Sequence, residues 1–178
     1  MPLKRTLRAL GVFTRQQALR KTRMENPVKL VPFSLEGFRL ALRLECVTSV
    51  IQAVEITPLP NAPDIILGVI SVHGDIMPVA DLRKRFGIRT KPLALYDHII
   101  VVKTKKRTVG IIADRTEAVV ECTEADVTPA TELTPGLNQV EGIVRRKDGL
   151  IIIQDMDKLL SLEEEASLEA AIEKSGKG

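Results

Sequence analysis

Alternating apolar and polar residues, broken by short turns, run through the body of this chain twice in the same order. Val31, Phe33 and Leu35 alternate with Pro32 and Ser34; Glu36-Gly37 supplies a turn; Leu40, Leu42 and Leu44 then alternate with Ala41, Arg43 and Glu45. Two such runs across a glycine turn predict a hairpin. Pro32 cannot donate to a sheet ladder, which predicts an edge position for the first strand there. A second hairpin follows over GVISVHGDIMPVAD (68–81), with its turn at Gly74-Asp75. Asp81 then reads as the N-cap of a short helix over Leu82–Phe86, closed by Gly87.

Downstream the events recur. Ile99–Val102, the polar turn Lys103–Arg107 and Val109–Ala113 repeat the first hairpin. GIVRRKDGLIIIQD (142–155) repeats the second, with Met156–Leu160 as its short helix. Gly68 matches Gly142 and Asp81 matches Asp155, both 74 residues on, and residues 40–45 match 109–114, 69 residues on. Each unit offers four or five strands in about 65 residues, few for an open sheet with a covered face. Closing each unit removes its exposed edges. The expected fold is therefore mainly β, with two small five-stranded barrels packed through an apolar face. The first would span about 28–92 and the second about 93–162, or the two would exchange elements. Polar, proline-bearing connections fall at 57–63, 88–92 and 123–136. A C-terminal helix or tail follows over 163–178, opened by a Ser161…Glu164 capping box.

The 44% hydrophobic content suits such a core, and the five aromatics, with no Trp, leave Val, Ile and Leu to build it. So few aromatics argue against a binder that stacks single-stranded bases. The net charge of +3 hides a split: residues 1–29 hold eight Lys or Arg against Glu25 alone, giving +7, and the rest carries −4. Leu3, Leu7, Leu10 and Leu19 in that stretch stand at roughly helical spacing, interrupted by Gly11. This extension, residues 1–27, is either a solvated tail or a basic amphipathic helix for an anionic partner such as nucleic acid or a membrane surface. Charge fills the position of a signal peptide's apolar stretch, and the longest apolar run is far short of a bilayer span. A soluble, reduced, cytoplasmic protein is the expectation.

Nothing in the sequence assembles into catalytic chemistry. His73 lies in a turn and His98 just before a strand, neither with a ligand partner close in sequence. Cys46 and Cys122 sit in apolar surroundings and read as buried, inert thiols. Asp81 and Asp155 are explained as helix caps, and Asp75 and Asp148 as turn residues. No Walker phosphate loop, dinucleotide fingerprint or nucleophile elbow occurs. No enzyme activity, cofactor or metal is expected.

The stretch LGVISVHGDIMPVADLR (67–83) resembles the G-V-I-N-L-R-G-x-I-x-P-V-x-D-L-R signature of CheW-type chemotaxis coupling proteins. Ile56–Pro60, Asn61–Asp64 and Val109–Asp114 match the pattern around it, and Ile143 with the run 150–160 resembles its closing hairpin and short helix. The resemblance spans about residues 28–162. It implies two SH3-like barrels and a non-catalytic adaptor. Such a protein holds a CheA-type histidine kinase to the cytoplasmic tips of methyl-accepting chemoreceptors, and so is recruited to the inner face of the membrane. The kinase's regulatory domain shares the fold, which implies barrel-to-barrel pairing. The receptor-groove candidates are Val47, Ser49, Ile51, His73 and Gly74, and the kinase-interface candidates are Val109, Gly110 and Ile111. Ser71 and His73 replace the signature's Asn and Arg, and Ser49 stands where the family often carries Glu. An ion pair that Glu and Arg would form is thus missing as a unit, which avoids one unpaired charge.

Overall fold

The computed structural model describes residues 27–132 and 138–175. The basic segment 1–26, with its expected helix, lies outside the described residues. Strands β1 (Val28–Leu35) and β2 (Phe38–Arg43) form the first hairpin, turned by Glu36 and Gly37 at φ of 47° and 84°. A 3-10 turn over Leu44–Cys46 leads into β3 (Val47–Gln52). The second hairpin is β4 (Ile66–Val72) and β5 (Asp75–Ala80), followed by α1 (Leu82–Phe86). Its turn lies one residue earlier than expected: His73 and Gly74, at φ of 52° and 91°, are the central residues, and Asp75 already pairs with Val72.

Next come β6 (His98–Lys103), β7 (Thr108–Ala113), β8 (Arg115–Thr116), β9 (Val120–Cys122) and β10 (Val127–Pro129). The chain ends in β11 (Val140–Arg146), β12 (Gly149–Gln154) and α2 (Leu162–Ser175). The helix expected over 156–160 shortens to a 3-10 turn at Met156–Lys158.

The strands make two sheets. One has seven strands in the order β10-β11-β12-β2-β1-β8, with β9 also on β1; the other has five, β3-β6-β7-β5-β4. Each is built from two hairpins joined through their second strands in parallel. Val79 faces Gly110 in one sheet and Ile153 faces Ala41 in the other. These partners differ by 74 and 69 residues, so the sequence offsets reappear as strand register. Each sheet also closes alike. The chain leaving β3 crosses to pair Thr57 with Val69 on the far strand, and the chain leaving β9 crosses as β10 to pair Thr128 with Ile143.

Closure explains the two matched glycines. Both stand at a register shift, between Ile66 and Gly68 and between Val140 and Gly142. A Cβ on Gly68 would overlap the Thr57 carbonyl oxygen, and one on Gly142 would lie 2.6 Å from the Thr128 oxygen. Only glycine lets the closing strand pass this close.

The barrels exchange elements and do not divide near residues 92 and 93. The seven-stranded barrel uses residues 28–43 and 115–154, and the five-stranded barrel uses 47–113. The β1–β2 hairpin is exchanged because β2 bonds to β12, and β1 to β8 and β9, all late in the chain. Nor is β1 an edge strand. Pro32 instead faces the break between β8 and β9, where its carbonyl accepts from the Glu117 N–H at 2.8 Å. A ladder interrupted there makes no use of the N–H that proline lacks.

Each barrel has its own core. Ile70, Met77, Val79 and Ile99 in one occupy the positions of Val144, Ile151, Ile153 and Leu30 in the other. A third cluster joins the barrels, with Leu40 and Leu42 from β2 meeting Val109 and Ile111 from β7. Helix α2 covers that junction with Leu168 and Ala171. The expected capping box is present: Ser161 N–H donates to Glu164 at 2.7 Å and Glu164 N–H donates to Ser161 Oγ at 3.2 Å.

Candidate interaction surfaces

The expected groove residues divide between two places. Val47, Ser49 and Ile51 lie on β3, an outer strand of the five-stranded sheet; Ser49 is exposed and the other two half-buried. Ile51 packs on the five-stranded core and Val47 on the shared one. His73 and Gly74 are exposed at the β4–β5 tip, beside a hollow of about 500 Å³ lined by Val72, Ile76, Pro78, Val101 and Ile172. Val101 links the two places, because Ser49 is its partner across β3 and β6. Among the described residues no hydrogen bond or ion pair joins Ser49 to His73.

Val109, Gly110 and Ile111 are corrected outright. All three are buried. Val109 and Ile111 point into the core between the barrels, and Gly110 leaves room for Ile99, Met77 and Val79. Val109 and Ile111 repeat the shared-core positions of Leu40 and Leu42 and hold the barrels together, Gly110 repeats Ala41 in its own barrel's core, and all three are closed to a partner.

Of the nine large hydrophobics exposed among the described residues, four stand at matched positions. Val50 on β3 is 40% exposed and Val119, 69 residues on, is 48% exposed. Ile76 on β5 is 55% exposed and Leu150, 74 residues on, is 52% exposed. Single exposed aliphatics are ordinary. Two pairs that recur with the repeat are a property of the unit, and each barrel presents both.

Between the barrels, polar residues are organised by a carboxylate. Asp81 caps α1, accepting from the Arg83 N–H at 3.0 Å, while its second oxygen meets the Arg83 guanidinium at 3.2 Å. Arg83 is only 1% exposed and also bonds Asp114. Asp114 further accepts from Glu36 N–H at 2.6 Å and pairs with Lys91 at 2.7 Å. Burial pushes the Asp114 carboxyl up, but the Lys91 and Glu36 bonds and the Arg83 charge outweigh it and hold the carboxyl below its ordinary range. The Asp-Leu-Arg end of the 67–83 stretch thus serves structure: it pins α1 to the tip of the exchanged hairpin.

At the matching place by the other barrel lies an open cleft of about 410 Å³, with Glu45, Cys46, Lys103, Gln154, Asp155 and Asp157 in its lining. Cys46 and Cys122 are half-buried rather than buried. Burial, reinforced by Glu45, Asp157 and Glu141, pushes the Cys46 thiol up to about 11, and burial raises Cys122 as well. Both thiols are therefore protonated at neutral pH. Among the described residues no group of His, Cys, Asp and Glu has the arrangement of a metal site.

Comparison with known proteins agrees with the architecture. A family model described as CheW-like domain matches residues 29–164. The chain is 30% identical over 132 residues to the chemotaxis protein CheW of Thermotoga maritima, covering 74% of this chain and 87% of that one. It is 26% identical over 142 residues to CheW of Treponema pallidum, covering 76% and 84%. The crystal structure of the scaffolding protein TtCheW from Thermoanaerobacter tengcongensis superposes with a TM-score of 0.71 at 34% identity, covering 78% of this chain and 96% of that one.

Proposed function

This chain belongs to the CheW-like family, and from that premise we propose that it is a non-catalytic adaptor coupling the cytoplasmic tips of methyl-accepting chemoreceptors to a CheA-type histidine kinase in chemotaxis signalling. The observation that carries the reading is the recurrence of exposed apolar residues, Val50 with Ile76 on one barrel and Val119 with Leu150 on the other. An adaptor needs two separate faces. A duplicated barrel supplies them, and each exposed aliphatic gains roughly 25 cal/mol per Å² buried on docking.

In this reading the receptor tip meets the five-stranded barrel at Val47, Ser49, Val50, Ile51, His73, Gly74 and Ile76. The kinase meets the seven-stranded barrel at Val119 and Leu150, which replace the buried 109–111 as contact residues. The protein would reside in the cytoplasm and reach the inner face of the membrane through receptors. Among the described residues no helix is long and apolar enough to cross a membrane.

The test is binding of the full chain to purified receptor-tip fragments and to the kinase, separately. Val119→Asp and Leu150→Asp should lose the kinase and keep the receptor; Val50→Asp and Ile76→Asp should do the reverse. Retention of both partners by all four variants would refute this assignment. The +7 charge of residues 1–29 supports a second reading, a CheW-fold platform that presents this segment to nucleic acid or an anionic membrane. Steep weakening of such binding with salt is its signature.

A further inference from the structure

The two barrels share a polar cluster, and one of its members is replaced. In the five-stranded barrel Arg83 lies between the carboxylates of Asp81 and Asp114, and Glu36 N–H closes over Asp114. The offset of 74 carries Asp81 to Asp155 and Arg83 to Asp157; the offset of 69 carries Glu45 to Asp114 and Glu36 to Lys105. The first of these matches shows in a hydrogen bond. Asp155 accepts from the Asp157 N–H at 3.1 Å, as Asp81 does from that of Arg83. Lys105 N–H, at the position of Glu36, donates at 3.0 Å to Asp157 and not to Glu45, the counterpart of Asp114. The guanidinium has no counterpart, because an acid stands at its position.

The open cleft lies here. Its charges are mostly committed: Lys105 to Asp157, Lys158 to Asp155, and Arg43 to Glu124 and Glu141. Glu45 has no ion pair or hydrogen bond among the described residues. Gln154 also lines the cleft. It is 4% exposed, and its Nε2 has no hydrogen-bond partner. A buried carboxamide in that state leaves a bond for an incoming group to make.

We propose that this cleft receives an arginine side chain from a partner protein. Its guanidinium takes the place between Asp155 and Glu45 that Arg83 takes between Asp81 and Asp114, and a carbonyl of the same segment accepts from Gln154. Arginine fits better than lysine because two carboxylates approached from different sides match a planar fork of donors. The proposal rests on the adaptor reading only in taking the partner to be a protein.

The test uses the full chain, isotope-labelled, titrated with N-acetyl-arginine methylamide and followed by NMR. Saturable shifts are expected at the Gln154 side-chain amide and at the Lys105 and Asp157 amides. The lysine analogue should bind more weakly, and the uncharged citrulline analogue should cause no saturable shift. Lys103 is the lining cation without an ion pair among the described residues, so Lys103→Ala should tighten binding. Asp157→Arg supplies the guanidinium within the chain. That change should raise the melting temperature and abolish the titration. Equal shifts with citrulline, or unsaturable shifts spread over exposed acids, would overturn the proposal. So would a lowered melting temperature in Asp157→Arg with the titration intact. Neither receptor nor kinase enters this assay, so its failure is distinct from failure of the adaptor reading.

Discussion

Gly68→Ala should cost more stability than Gly142→Ala, although the two glycines occupy matched positions. Both substitutions drive a Cβ into the strand that closes a barrel. At Gly142 the new atom lies 2.6 Å from the Thr128 oxygen and 2.7 Å from Val127 Cγ1. Relief requires a backbone shift of the overpacking kind, about 1–3 kcal/mol. At Gly68 the Cβ overlaps the Thr57 oxygen and lies 2.8 Å from Ile56 Cγ2, so the same term applies. A second term is added because Gly68 has φ of +156° and Gly142 is not in positive-φ backbone. A side chain forced into that region costs about 1–3 kcal/mol more. At roughly 2–4 °C per kcal/mol for a protein of this size, Gly142→Ala should melt about 2–12 °C below wild type. Gly68→Ala should melt about 4–24 °C below it, by the same conversion. Scanning calorimetry, with urea unfolding to check a constant slope, measures both. A Gly68→Ala protein melting within a degree of wild type would refute the closure argument, and the reverse order would refute the backbone argument.

Removing the buried guanidinium by Arg83→Met leaves Asp81 and Asp114 without it, and should cost about 3–5 kcal/mol in urea unfolding; a loss under one kcal/mol would show the cluster is not stabilising. Asp114 is held below its ordinary range, so its contribution is full above the unfolded carboxylate pKa and is lost as pH falls through the lowered folded value. Lys91→Met should therefore move the midpoint of acid unfolding to higher pH, and an unchanged midpoint by circular dichroism would contradict this. Leu168→Ala, in the helix over the barrel junction, should cost about 2–5 kcal/mol, whereas Ser161→Ala should cost about 1 kcal/mol through the lost cap. Equal losses would mean that α2 does not seal the junction.

The hairpins, helix caps and repeat were legible because each rests on local chemistry. Glycines and caps recur at fixed offsets, and alternation marks the arms of the first hairpin. The partner of each strand was not legible, since β2 finds β12 more than a hundred residues away and nothing near Leu40 or Ala41 names Ile152 or Ile153. Val109, Gly110 and Ile111 were surface candidates through the family resemblance, and a continuous apolar strand covered on both faces carries no local sign of which face is free. One signal was available and unused. Ile56-Thr57-Pro58 and Val127-Thr128-Pro129 are the two closing segments, and their likeness repeats the barrel plan. The ion clusters of Arg39 with Glu117 and Asp148, and of Arg43 with Glu124 and Glu141, join residues 78 to 109 apart. Charge position alone does not reveal such pairs.

Reconstitution of signalling tests the adaptor account most directly. Receptor fragments arrayed on vesicles, a CheA-type kinase and radiolabelled ATP are combined with or without this chain. The account predicts that kinase phosphorylation comes under receptor control only when the chain is present, and that Leu150→Asp abolishes this control while receptor binding persists. Kinase activity that responds to the receptors equally well without the chain, or not at all with it, would contradict the account.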